Sequence, residues 1–283
     1  MALSVLILAA GKGTRMNSNS PKVLHHVGNI PMIYYSIKLA IKAKAKNIGI
    51  VISKDATEIK NFIKSLSVNI KLFVQSNQLG TGHAILSAKE FETKSGDLII
   101  LYGDCPLITE DTIKKLIDTK KKGVDLSVLG FLSNNQKEYG RMVVDKNNNL
   151  SKIIEYKDAN QNEKGIKFCN SGVMISKAKI LFSLLNQISN NNSAKEFYLT
   201  DIVSLANKQG LIVKSVCCSE AEAQGVNNRQ DLSEVELEFQ KNKRLEILNN
   251  GVTLKDPSSV YFSYDTEIDQ DSIVEPNLSL IHI

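Results

Sequence analysis

The chain has 283 residues, enough for a substantial core, and its 42% hydrophobic and 23% charged content excludes fibrous, disordered and disulfide-scaffold classes. The net charge of +5 admits anionic partners, but the lysines are spread along helices with no basic block interleaved with aromatics, which argues against nucleic acid. No apolar run reaches membrane-spanning length, and the first residues lack the basic n-region of a signal peptide. Cys105, Cys169, Cys217 and Cys218 form neither a C-x-x-C zinc pattern nor a disulfide framework, so the expectation is a cytoplasmic protein with no membrane partner.

Residues 4–8 are an unbroken apolar run of strand length, the pattern of a strand buried on both faces. The run ends in Ala9-Ala10-Gly11-Lys12-Gly13-Thr14-Arg15-Met16, where small residues leave backbone amides open to an anion or a base edge. Lys12, Arg15 and Lys22 bring positive charge to the same place, at the carboxyl end of a strand, where open α/β sheets bind ligands. A Walker loop is excluded because Gly11 and Gly13 stand too close and no Gly-Lys-Ser/Thr follows. A dinucleotide fingerprint is excluded by Met16 at its third glycine position. The stretch reads as a nucleotide phosphate site.

Pro31 opens a helix carrying Ile33, Ile37, Ala40 and Ile41 at helical spacing. A strand at 47–52, an amphipathic helix at 55–66 and a strand at 70–75 follow, a rhythm that predicts a parallel sheet with helical crossovers. Gln75 has both donor and acceptor for a pyrimidine edge. Gly80-Thr81-Gly82 begins a helix whose first amides face anions. His83 reads as a structural hydrogen-bonding residue. Residues 97–102 form the most apolar strand, ending in Gly103-Asp104-Cys105-Pro106, where an acidic residue beside a glycine suits a hard cation. Thr109 caps a helix running to about Lys121.

From Asp125 onward, strands at 125–132, 141–145, 150–155 and 168–176 lack long intervening helices, which predicts a smaller mixed or antiparallel portion. Gly140, Glu155 and Asn170 stand among turns there, and such carboxylates, amides and bare backbone are what sugar hydroxyls require. Helices are expected at 177–186 and 195–208, a strand at 211–216 and a charged helix at 230–248. Asn228 is by itself a helix cap, but paired with Asp104 it completes a metal site.

The blocks A-A-G-K-G-T-R-M, P-K, Q-L-G-T-G-H-A, Y-G-D-x-P-L, E-Y-G-R, E-x-K-D-A, N-S-G, E-x-Y-L-T-D and Q-G-V-N-N-R occur in order along the whole chain. Together they resemble the bacterial bifunctional N-acetylglucosamine-1-phosphate uridylyltransferase/glucosamine-1-phosphate acetyltransferases. The resemblance implies a nucleotide-diphospho-sugar transferase-like (Rossmann-like) α/β fold and Mg²⁺-dependent transfer of UMP from UTP to N-acetylglucosamine 1-phosphate, supplying peptidoglycan and lipopolysaccharide precursors. It implies that Leu8, Ala9, Ala10 and Gly11 line the nucleotide and that Gln75, Gly80 and Thr81 fix the uracil end. Tyr102, Gly103 and Asp104 would border phosphates and sugar, Gly140, Glu155 and Asn170 would hold the N-acetylglucosamine, and Asp104 with Asn228 would bind Mg²⁺. The resemblance further implies that Arg15 and Lys22 would lie along the triphosphate as the catalytic cations. Cys105 and Gln224 depart from the family pattern, which has a small apolar residue and Glu there, and neither position is expected to touch a ligand. A uridylyl- or thymidylyltransferase for another sugar 1-phosphate and a non-catalytic regulatory relative share most of these blocks.

The same resemblance divides the chain into a uridylyltransferase domain over 1–226, a linker helix over 227–250 and an incomplete left-handed β-helix over 251–283. Ile268, Val274 and Leu280 recur with the six-residue period of such a coil. Full-length relatives are implied to be homotrimers carrying the acetyltransferase site in the β-helix. One coil is too few to bury a continuous core, so the expectation is a monomer with uridylyl transfer only and a loosely held tail after about Val260.

Overall fold

The computed structural model describes residues 2–94, 96–133 and 138–280; Met1 and 281–283, the outermost residues of the two expected end segments, lie outside them. β1 (Leu3–Ala9) is buried along nearly its whole length, as its continuous apolar run requires. A short hairpin, β2 (His26–Val27) with β3 (Ile30–Pro31), precedes α1 (Met32–Lys42), and Pro31 stands at its N-cap. β4 (Asn47–Ser53), α2 (Thr57–Ser65), β5 (Ile70–Gln75), α3 (Thr81–Leu86) and β6 (Asp97–Tyr102) continue the alternation. The side chain of Thr109 caps α4 (Glu110–Lys121), accepting from the Thr112 amide at 3.3 Å.

β7 (Leu126–Leu132), the hairpin β8 (Arg141–Val144) and β9 (Leu150–Ile154), and the small α5 (Gln161–Lys164) lead to β10 (Phe168–Lys177). α6 (Ala178–Leu185), α7 (Asp201–Lys208), β11 (Val213–Cys218) and α8 (Glu220–Ala223) complete this part. One nine-stranded sheet holds it all, in the order β11-β7-β10-β6-β1-β4-β5, with β8 and β9 branching from β10. β1, β4, β5 and β6 are mutually parallel, while β10 enters antiparallel between β6 and β7. The mixed portion is therefore continuous with the parallel half rather than appended to it, because the fully apolar Met174-Ile175 segment of β10 pairs with Ile100 and Ile99 in the centre of the sheet. Each face of the sheet carries one large core. Ile7, Ile37, Ile50 and Ile99 centre the face under α1, and Leu6, Ile100, Met174 and Phe182 the other.

The helix expected over 195–208 starts only at Asp201. Lys195 takes a left-handed conformation (φ 55°), and the Phe197 backbone pairs with the loop before α3 instead: its amide donates to Leu79 O at 2.8 Å and its carbonyl accepts from Gly82 N at 2.9 Å. Tertiary pairing thus overrides helix propensity there.

α9 (Arg229–Asn249) crosses the base of the fold, its Val235 and Phe239 packed against Met16, Val27 and Met32. Beyond it come four short strands, β12 (Thr253–Leu254), β13 (Tyr261–Phe262), β14 (Ile273–Val274) and β15 (Ser279–Leu280). β12 pairs parallel with β14, and β13 with β15. Val252, Leu254, Val260, Phe262 and Val274 bury their side chains together with Ile247 of α9. The tail after Val260 is thus packed, not loose, as far as the described residues reach, because Ile247 of α9 lends apolar surface to Val260, Phe262 and Val274. Among the described residues no helix is long and apolar enough to cross a membrane.

Gly49 in β4 lies under the edge-to-face pair of Phe73 and Phe91, whose centroids are 5.5 Å apart. A Cβ at Gly49 would sit 2.8 Å from Phe91 and 2.9 Å from Phe73, so the two rings occupy the space a side chain would need. Gly49→Ala is expected to lower unfolding stability by about 1–3 kcal/mol through overpacking, read as a shift of the urea midpoint at unchanged m-value.

Candidate functional site

The carboxyl ends of β1 and β6 lie side by side, closed by a hydrogen bond from Gly103 N to Leu8 O at 3.0 Å. Above them opens a cavity of about 240 Å³ lined by Leu8, Ala9, Ala10, Gly11, Lys22, Gln75, Gly80, Thr81, Tyr102 and Asp104, among others. Ten of the residues singled out from the sequence thus meet in one place. Gly11 faces open space, with no protein atom within 4 Å of where its Cβ would be, so internal packing makes no demand for a glycine there. Gly13 does answer to packing: its positive φ of 62° folds the loop over Lys22, and a Cβ would lie 2.7 Å from that of Lys22. Three larger clefts lie elsewhere, two around Lys38, Lys42 and Tyr264 and one along Lys42, Glu110 and Lys114, each with charges of both signs in its walls.

The apolar β5 carries Gln75 to its buried end. Its Nε2 donates to Gly80 O at 3.1 Å and lies 3.0 Å from His83 Nδ1, an arrangement that fixes which end of the amide is the acceptor. Gln78 Nε2 donates to Ala10 O at 3.2 Å and ties this loop to the glycine loop. The Gly82 amide, expected to be open to anions, is engaged by Phe197 O at 2.9 Å.

Asp104, at the end of β6, forms an ion pair with Lys22 in which both side chains are largely buried. Lys22 Nζ also donates to Asn227 Oδ1 at 3.3 Å, as does Arg15 Nη2 at 3.3 Å. Asn227, not Asn228, is therefore the carboxamide beside Asp104. Asn228 instead caps α9, its Oδ1 accepting from Asp231 N at 2.8 Å, while the Asp231 carboxylate returns a bond to Asn227 N at 3.0 Å. The signal was present in the sequence: an Asn three residues before an Asp at a helix start is a cap, which leaves its neighbour free for chemistry. Cys105 places its Sγ 3.8 Å from Asp104 Oδ1, and burial beside that carboxylate holds the thiol neutral by pushing its pKa well up. Gln224 donates to Glu234 at 2.7 Å, away from the cavity.

Among the described residues no cluster of three His, Cys, Asp or Glu side chains is placed to hold a metal. Asp104 and Asn227 offer one carboxylate and one amide oxygen, a partial set of hard donors. That set fits a divalent cation whose remaining ligands are phosphate oxygens and water.

A second cleft, lined by Glu138, Glu155, Tyr156, Lys157, Glu196 and Tyr198 among others, adjoins the first through Glu196. Of the three expected sugar-binding residues only Glu155 lines this cleft, with Gly140 and Asn170 packed behind it: a Cβ on Gly140 would stand 3.5 Å from Glu155 Oε2 and 3.6 Å from Asn170 Cβ. Glu155 Oε1 accepts from Thr200 Oγ1 at 2.7 Å. The Tyr102 ring lines the first cleft and rests on Gly172, where a Cβ would come within 2.5 Å of it. Burial, with Glu155 and Asp104 nearby, raises the Tyr102 phenol. Tyr198, pushed up to about 12 by burial and by Asp158 and Glu155, stays protonated as a hydrogen-bond donor. Glu196, Tyr198 and Thr200 escaped the sequence reading because their segment reads as helix.

Burial raises the Glu155 carboxyl above the ordinary carboxylate range, with Asp201, Asp158 and Glu196 adding to it and the Thr200 hydrogen bond opposing. A carboxyl whose folded pKa is raised favours the folded state below its unfolded pKa and loses that advantage as pH rises through the folded one. Relative to Glu155→Gln, wild type is expected to gain stability as pH is lowered from 7 into the carboxylate range, seen in urea midpoints across that interval. An unchanged difference between the two would place Glu155 in solvent.

The nucleotidyl transferase family model matches residues 4–222. The chain is 40% identical over 272 residues to the bifunctional protein GlmU of Ruegeria sp. (strain TM1040), covering 96% of this chain and 60% of that one. It is 40% identical over 274 residues to the bifunctional protein GlmU of Bartonella quintana, covering 96% and 61%. The chain thus spans about 60% of the length of the curated relatives it matches. Among solved structures it superposes on a UDP-glucose pyrophosphorylase complexed with UDP-glucose with a TM-score of 0.70 at 18% identity, covering 86% of this chain and all of that one. An inositol-1-phosphate CTP transferase from T. maritima superposes with a TM-score of 0.64 at 16% identity, covering 82% and 96%. These last two likenesses concern the fold.

Proposed function

Because this chain belongs to the nucleotidyl transferase family, we propose that it transfers UMP from UTP to N-acetylglucosamine 1-phosphate with Mg²⁺, forming UDP-N-acetylglucosamine and pyrophosphate. The observation that carries the reading is the pair of adjoining clefts, one floored by bare backbone and one walled by the carboxylates of Glu138, Glu155 and Glu196 and the phenols of Tyr156 and Tyr198, with Lys22, Asp104 and Asn227 clustered beside the first.

Uracil fits the first cleft by its hydrogen-bonding edge. With its Nε2 directed to Gly80 and His83, Gln75 presents an acceptor, which matches the N3–H of uracil and opposes the unprotonated N3 of cytosine. Gly11, with open space before it, lets the backbone approach the ribose and phosphates. In the second cleft, Glu155, Asn170 and the Gly140 backbone hold the sugar hydroxyls and acetamido group.

An anionic oxygen of the sugar 1-phosphate attacks the α-phosphorus of UTP; the new P–O bond forms as the α–β bridging P–O bond breaks, and pyrophosphate leaves with the electron pair. The nucleophile is already ionised, so no general base is needed, and the chain's task is positioning and charge neutralisation. Arg15 and Lys22 face the triphosphate, and Lys22 exchanges its partner Asp104 for phosphate oxygens. Asp104 and Asn227 would hold Mg²⁺, which would supply neutralisation of phosphate charge.

The domain division proposed is 1–226 for nucleotidyl transfer, 227–250 for the linker helix and 251–283 for the start of a β-helix. It is supported by parallel pairs such as Thr253 with Ile273 and Tyr261 with Ser279, about one coil apart.

Pyrophosphate release with UTP against a panel of sugar 1-phosphates tests the reading. Turnover is expected with N-acetylglucosamine 1-phosphate and UTP, not with CTP; preference for glucose 1-phosphate would replace the sugar assignment. Lys22→Ala is expected to lower kcat and kcat/KM together by roughly 100-fold, since charge on the departing pyrophosphate develops in the transition state. A rise in KM for UTP alone would contradict that role.

A further inference from the structure

Arg141 is 1% exposed, the largest of the fully buried side chains. A guanidinium is costly to bury unless its donors are engaged, and here they reach in several directions at once. Nη1 donates to Tyr139 O at 2.9 Å and to Cys169 Sγ at 3.1 Å, and Nε donates to Lys164 O at 3.2 Å. The guanidinium carbon lies 5.4 Å from the centroid of the Tyr156 ring. The Cys169 thiol passes the chain of bonds on, donating to Lys167 O at 3.5 Å.

Three of these contacts fall on the immediate chain neighbours of the residues gathered at the second cleft. Tyr139 precedes Gly140, Tyr156 follows Glu155, and Cys169 precedes Asn170. Strand register explains the coincidence: Arg141 stands opposite Cys169 on one side and Ile154 on the other, so one side chain lies at the crossing of three segments. The Asn170 amide then donates to Gly140 O at 2.8 Å, closing the bracket on the cleft side.

We propose that Arg141 is the positioning residue for the sugar subsite, setting the spacing of Gly140, Glu155 and Asn170 without touching the substrate. This rests on the reading of that cleft as the sugar 1-phosphate site. The planar fork is what the position requires: a lysine keeps the charge but cannot reach the Tyr139 and Lys164 carbonyls and lie flat on Tyr156 together.

Steady-state kinetics on Arg141→Lys and Tyr156→Leu, each checked for folding by near-UV circular dichroism, tests the assignment. Arg141→Lys is expected to raise KM for the sugar 1-phosphate about tenfold while KM for UTP stays within about twofold, since misplacing a binding group weakens only what it holds. Discrimination between N-acetylglucosamine 1-phosphate and glucose 1-phosphate is expected to fall in the same variant. Tyr156→Leu, at a half-buried position that tolerates the change, is expected to move the same constant in the same direction by less, and it decides the matter if Arg141→Lys does not fold. An unchanged sugar KM in a folded variant, or equal rises in both KM values, overturns the proposal. Failure of the functional reading shows instead in the wild type, as absent turnover of N-acetylglucosamine 1-phosphate; the same comparison is then made on whichever sugar 1-phosphate is used.

Discussion

The register between β1 and β6 is the constraint on which the rest depends. Leu8 stands opposite Tyr102, and the Gly103 amide closes on the Leu8 carbonyl, so two buried strands end at the same height. Their continuous apolar sequences permit only a central place in the sheet, and parallel pairing puts both carboxyl ends on one edge. The glycine loop and Asp104 thereby arrive together. α9 then secures the loop from below: Arg229 donates to Met16 O at 3.1 Å, and Asn227, held by the Asp231 carboxylate, reaches Arg15 and Lys22. A segment more than 200 residues away in sequence thus joins the first loop at one carboxamide.

The second half of the sheet is organised by burial rather than by crossover helices. β10 runs antiparallel between β6 and β7 and carries Cys169 and Asn170 toward the cleft, while Tyr102 spans from the first cleft to the Gly172 backbone. The proposed nucleotide and sugar sites are therefore two ends of one rigid surface.

What the sequence made legible was what local pattern controls. The apolar runs, the Gly11-Lys12-Gly13 loop and the Asp104 turn are each written in a few adjacent residues, and the structure has them as expected at the strand ends. The misreadings came where distant contacts decide. Residues 195–200 read as helix, but their hydrogen bonds go to Leu79 and Gly82. The segment after Val260 read as loose, but Ile247 of α9 covers it. Asn227 and Asn228 are chemically identical neighbours, and Asp231, three residues after Asn228, is the local mark that separates cap from site. Arg141 offered no periodic signal at all: its importance lies in what surrounds it, and no single strand contains that.

The central claim is that Lys22, Asp104 and Asn227 form the phosphate and cation site, with Asn228 confined to capping. Titrating turnover with Mg²⁺ in Asn227→Ala and Asn228→Ala tests it most directly. Asn227→Ala is expected to lose at least about tenfold in apparent Mg²⁺ affinity, the scale found when a metal-supporting group is removed. Asn228→Ala is expected to keep the wild-type Mg²⁺ dependence and to lose about 1 kcal/mol of unfolding stability. A Mg²⁺ dependence disturbed by Asn228→Ala and untouched by Asn227→Ala would contradict the account.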